Sequence, residues 1–149
     1  MIRKNILFIF LTFFLTSCGF TPVYLNNVNT NFSIEQVNYT GDRELNNFLK
    51  TNLNQYKNEK IDNKIYIKAN SFYKKIILSK DSAGKVTNYQ LEAEVIFKIK
   101  PLNKEIKIVE KKIMNSMNDK FEESRYERTI KQNFAFSISK KLSSELINN

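Results

Sequence analysis

The chain has 149 residues, enough for one domain, with 24 Lys and Arg against 15 Asp and Glu and a net charge of +9. It contains no histidine and a single cysteine. These counts exclude an intramolecular disulfide, a Ser-His-Asp triad, a Cys-His pair and a zinc site of the usual ligand set.

Arg3 and Lys4 precede a ten-residue apolar run, Ile6 to Leu15, interrupted only by Thr12, and Thr16-Ser17 then supply small residues before Cys18. This is the three-part layout of an export signal. Ten residues fall well short of the ~20 that a spanning helix needs, so a signal that is removed is expected rather than a retained span. Leu15-Thr16-Ser17-Cys18 resembles the bacterial lipobox. That resemblance implies cleavage after Ser17, a diacylglyceryl group on the Cys18 thiol and an N-acyl chain on the new amine, with no other cofactor. Two or more acyl chains anchor a protein stably, where one is marginal. Gly19 stands where the proteobacterial sorting rule places an Asp for inner-membrane retention, which implies the outer membrane and its periplasmic face.

The mature chain begins at Cys18 and carries 22 basic and 15 acidic residues. A net charge of +7 favours anionic partners such as acidic lipid or phosphorylated glycolipid, and export argues against nucleic acid. Twenty of the 24 basic residues are Lys, alongside abundant Asn and Ile, so part of the charge is compositional.

Residues 18–30 read as a lipidated tether, with Pro22 and Asn26-Asn27 and no periodicity. One domain, 31–149, comes after it. Phe32 to Tyr39 is a short strand. Thr40-Gly41-Asp42 breaks it, and Asp42 is placed to cap a helix whose stripe is Leu45, Phe48, Leu49, Leu53 and Tyr56. Lys64 to Ser79 is a long strand. Its apolar set switches from Ile65, Ile67 and Ala69 to Phe72, Ile76 and Leu78, which predicts a bulge near Asn70–Ser71. After the turn Asp81–Lys85, Val86 to Lys100 alternates Leu91, Ala93, Val95, Phe97 and Ile99 with Gln90, Glu92, Glu94 and Lys98, one face core and the other wet. Pro101–Lys104 turns the chain into a fourth strand, Glu105 to about Met117, with Ile106, Ile108 and Ile113 as its apolar residues. A long helix closes the chain, about Glu122 to Ile147, with Tyr126, Ile130, Phe134, Ile138, Leu142 and Leu146 as its buried stripe. Phe136 falls on the far side of that helix, unexplained by the core, and is the candidate contact for a partner. The order β-α-β-β-β-α predicts an α+β fold with two helices on one face of a four-stranded, mostly antiparallel sheet.

Catalytic groups are sparse. Ser82-x-x-Lys85 matches a pattern of penicillin-binding enzymes, but so do Ser71-x-x-Lys74 and Ser137-x-x-Lys140, and the companion Lys-Thr-Gly is missing. Glu92 and Glu94 share a strand face, as solvated carboxylates of amphipathic strands commonly do. Three glycines leave no phosphate-cradling loop. A non-enzymatic protein with no metal site is expected.

Cys18-Gly19-Phe20-Thr21-Pro22-Val23-Tyr24 resembles the mature start of the LPS-assembly lipoprotein LptE family, especially its alphaproteobacterial branch, and the order of elements is similar. The resemblance is specific over those seven residues and architectural over the rest. It implies a lipoprotein of Gram-negative bacteria that plugs an LptD-like outer-membrane β-barrel and assists placement of lipopolysaccharide in the outer leaflet. Lys side chains serve as point charges for phosphate, and Lys74, Lys75, Lys80 and Lys85, gathered around the hairpin after the second strand, are the candidate lipopolysaccharide contacts. The alternative is a generic outer-membrane lipoprotein adaptor without a lipopolysaccharide role.

Overall fold

The computed structural model describes residues 30–148. The signal, Cys18 and the tether up to residue 29 lie outside the described residues. The elements come in the expected α+β order: β1 (Ser33–Gly41), α1 (Arg43–Leu53) with a 3-10 turn (Asn54–Tyr56), β2 (Lys64–Lys80), β3 (Val86–Lys100), β4 (Lys104–Asn115) and α2 (Lys120–Ile147). The sheet runs β1-β2-β3-β4. β1 is parallel to β2, and the other two pairings are antiparallel. A parallel pair needs a crossover, and α1 with its trailing loop supplies it.

Each element has a local cause. In β1 the ladder slips between Ile34 and Gln36, so that Ile34 and Val37, three residues apart, both align with the core-facing Ile65 and Ile67. Gly41 ends the strand at φ +94°, and a Cβ there would lie 1.8 Å from the Ser71 carbonyl oxygen. Only glycine permits that approach. Asp42 then caps α1 as expected, accepting from the Leu45 N–H at 2.7 Å. Leu45, Leu49 and Leu53 are buried, Tyr56 completes the stripe from the 3-10 turn, and Phe48 is partly buried.

β2 departs from expectation. There is no bulge near Asn70–Ser71; the register is regular from Tyr66 to Ile77 and slips only at Ser79. The alternation Ile65, Ile67, Ala69 continues through Ser71, which is buried on the core face. A serine serves there because β1 ends against it: its Oγ bonds the Thr40 and Asp42 carbonyls and its own carbonyl accepts from Asp42 N–H. Phe72 and Ile76 therefore point away from the helices. β3 alternates as expected, with Leu91, Ala93, Val95, Phe97 and Ile99 all buried. In β4, Ile106 and Ile108 are core but Ile113 is 62% exposed and Met114 is buried in its place. Ile113 lies five residues beyond Ile108, an odd step that puts it on the opposite face; it pairs with Gln90 on the wet side, whereas Met114 pairs with Tyr89.

α2 starts at an Asp119 cap that accepts from Phe121 and Glu122 N–H groups. Ile130, Phe134, Ile138, Leu142 and Leu146 are buried, joined by Ala135, Ser139 and Ser143. Tyr126 is not: it is 39% exposed, with Lys112 Nζ 5.9 Å from its ring. A step of four overshoots a 3.6-residue turn, so the stripe rotates along the helix, and at the first turns the buried position passes to Glu123. Both helices cover one face of the sheet and pack on each other, with Tyr56 Oη bonded to Ser143 Oγ at 3.0 Å. Among the described elements none covers the other face, and none of their helices is long and apolar enough to cross a membrane.

Candidate docking surface at the hairpin end

β2 and β3 continue past the end of β1, whose last paired residue, Gly41, meets Ser71. The projecting hairpin is closed by Asp81–Lys85. Asp81 Oδ1 accepts from the Ala83 and Lys85 N–H groups, both at 2.9 Å, and Gly84 takes φ +81°. Three consecutive apolar side chains, Ile76, Ile77 and Leu78, lie exposed on this projection. Ile76 and Ile113 flank Gln90 across the open face, and Phe121 is exposed at the start of α2. Isolated exposed apolar residues are ordinary, but a run of three on one projection makes this end the candidate docking surface.

The four lysines expected here do not form one patch. Lys74 and Lys75 are adjacent in sequence and hence on opposite faces of the sheet. Lys74 lies on the open face, lining a depression of about 180 Å³ with Phe72, Glu92 and Glu94. Lys75 lies under α2, bonded to Glu123 at 3.1 Å and Glu127 at 2.8 Å, with its Nζ 4.2 Å from the Tyr89 ring centre. Lys80 and Lys85 stand at the tip, Lys85 reaching Asn118 Oδ1 at 2.8 Å. Phe136 is half exposed on the solvent side of α2, with Lys140 Nζ 4.8 Å from its ring centre. It lies about 24 Å along the helix from Lys120, so it is not part of the hairpin surface.

The sequence reading missed Glu123, which holds the hairpin to the helix. It is 5% exposed and takes four bonds: from Met117 N–H (2.9 Å), Ser116 Oγ (3.1 Å), Lys120 Nζ (2.9 Å) and Lys75 Nζ (3.1 Å). Burial pushes its pKa up, but the Met117 N–H and the two ammonium groups outweigh burial and hold it at about 2. Burial likewise opposes the charged form of Lys75, and its carboxylate partners overcome it and raise its pKa. Beside them Tyr73 Oη donates to Glu127 at 2.8 Å, and burial with that carboxylate raises the phenol. Lys131 sits over the Tyr73 ring and bonds Glu44 of α1. Every shifted group in this network is driven further into its ordinary charge state, so the network clamps the fold and does not shuttle protons near neutrality. Among the described residues no group of three Cys, Asp or Glu is placed to hold a metal.

Neither a protein-family model nor a curated protein sequence matches the chain. Solved structures do match. Rare lipoprotein B from Shewanella oneidensis aligns with a TM-score of 0.55 at 17% identity, covering 76% of this chain and 97% of that one. The chain shares its fold with bacterial lipoproteins. A lipoprotein B from Nitrosomonas europaea gives a TM-score of 0.52 at 16% identity over 78% of this chain and 88% of that one. A minor lipoprotein from Acinetobacter baumannii gives 0.50 at 15% over 75% and 94%. In each case nearly the whole of the other domain is spanned, so the likeness concerns the complete sheet-and-helices unit and not one motif.

Proposed function

We propose that this chain is an outer-membrane lipoprotein, anchored through Cys18, that docks in an LptD-like β-barrel and assists assembly of lipopolysaccharide into the outer leaflet. The observation that carries the reading is the shared fold, spanning 88–97% of three bacterial lipoproteins, in a chain whose Leu15–Cys18 has the form of a lipobox. The task is binding, with no bond made or broken. The hairpin end suits it chemically. Ile76, Ile77 and Leu78 offer apolar surface to acyl chains or a barrel wall, and Lys80 and Lys85 offer charge to phosphate.

Affinity capture of the lipidated protein from detergent-solubilised membranes tests this directly. A co-purifying outer-membrane barrel, lost in Ile77→Glu, is the expected result. Recovery of the lipoprotein with no barrel sinks the plug reading and leaves the adaptor. Lys80→Glu with Lys85→Glu should weaken lipopolysaccharide binding, and raised salt should do the same to the unaltered protein. Lys75→Glu should instead destabilise the fold, because that side chain is committed to Glu123 and Glu127.

A further inference from the structure

The open face of the sheet is charged in an ordered way. Toward the hairpin, opposite charges pair across strands: Lys111 with Glu92 at 3.0 Å and Lys107 with Glu94 at 2.9 Å. At the other end the β2–β3 pairing breaks this rule, while Lys98 and Glu105 keep it between β3 and β4. Lys68 of β2 is the direct cross-strand partner of Lys98 of β3, and the next row pairs Tyr66 with Lys100. Directly opposed side chains stand about 5 Å apart at Cβ, and like charges there are destabilising. Lys98 has Glu105 at 3.3 Å, both side chains being well exposed, while Lys68 and Lys100 make no ion pair among the described residues. Together with Gln36, Asn38 and the half-exposed Tyr66, the three lysines line a depression of about 180 Å³. An anion seated on this face would relieve the repulsion.

We propose that this patch, Tyr66-Lys68-Lys98-Lys100, is the face that lies against the anionic phosphate headgroups of the membrane. Two observations select a lipid surface. First, the patch combines exposed cations with a tyrosine, an amphipathic ring favoured at the headgroup level. Second, it adjoins the place where the chain joins the fold, since Ser33 opens β1 beside Lys64 and the Tyr66 row comes next. Cys18 lies fifteen residues before Ser33, a reach of at most about 50 Å. This second argument rests on the Cys18 anchor proposed above. Lipid-anchored in this way, the chain presents its basic patch to the headgroups.

The chain has no tryptophan, so Tyr66→Trp installs a sole reporter in the patch. The full-length lipidated protein carrying it is reconstituted into vesicles of phosphatidylcholine alone or with phosphatidylglycerol, and quenching by brominated lipid is read. Expected is quenching in the anionic vesicles, lost in raised salt and lost when Lys68, Lys98 and Lys100 are changed to Gln. Equal quenching in both vesicles, quenching that survives the triple change, or no quenching in either overturns the proposal. Competition by free glycerol phosphate overturns it in favour of a soluble phosphate ligand. Flotation with phosphatidylcholine vesicles reads the anchor separately. A chain that does not float has lost the Cys18 reading, yet its tryptophan response to anionic vesicles still decides the patch.

Discussion

Glu123→Gln removes one negative charge from a buried site and leaves its shape, which makes it the sharpest probe of the network under the hairpin. The amide oxygen can still accept from Met117 N–H, but Lys75 and Lys120 each lose an anionic partner. Removing one member of a fully buried pair costs about 3–5 kcal/mol. Lys75 is 28% exposed and keeps Glu127, which reduces the expected cost to about 2 kcal/mol at neutral pH. The lowered pKa of Glu123 corresponds to a similar size. A carboxyl whose pKa falls from 4.5 unfolded to about 2 folded contributes at most about 3 kcal/mol, at 1.36 per unit. Because the folded value is the lower one, that contribution is present above pH 4.5 and is lost as pH falls toward 2. Thermal unfolding followed by circular dichroism should place the variant about 8 °C below the parent at pH 7, at about 4 °C per kcal/mol for a domain of this size. The two curves should converge near pH 2. A gap that persists unchanged at pH 2, or no gap at pH 7, refutes the assignment of Glu123 as a stabilising buried anion.

Gly41→Ala combines a left-handed backbone with a Cβ inside the Ser71 carbonyl. The strain and the loss of the Asp42–Ser71 bond should cost about 3 kcal/mol or more, read as a lowered urea midpoint; an unchanged midpoint means the β1–α1 corner is loose. Phe136→Glu should leave the unfolding midpoint within about 0.5 kcal/mol, as for an exposed site, while reducing barrel capture; capture at the parent level removes that side of α2 from the interface. Cys18→Ala should abolish incorporation of labelled palmitate, since no second thiol is present, and labelling that persists would defeat the lipobox reading.

Much of this architecture was legible residue by residue. The Asp42 cap, the strict alternation from Leu91 to Ile99 and the four-residue recurrence from Ile130 to Leu146 are local signals. Each reports a period of 2 or 3.6 that the backbone must obey wherever the element sits. The order of elements came from them, and with it the α+β class. The exposure of Phe136 was legible for the same reason, since its angle on the helix is set by counting.

What the chain alone could not settle was decided by pairing across the fold. An apolar switch in β2 reads as a bulge until Ser71 is seen to receive the end of β1, which makes a polar residue correct on the core face. Tyr126 yields its place to Glu123 because the first turns of α2 lie over Lys75, so a carboxylate is better satisfied there than a phenol. The four hairpin lysines look like a cluster in sequence, yet the pleat sends Lys74 and Lys75 to opposite faces and the helix captures one of them. The basic patch at the opposite end is invisible in sequence. Lys68 and Lys98 are thirty residues apart, and only the β2–β3 register sets them side by side. Periodicity assigns a residue to a face of its own element; which charges meet across strands depends on register, a property of the assembled sheet.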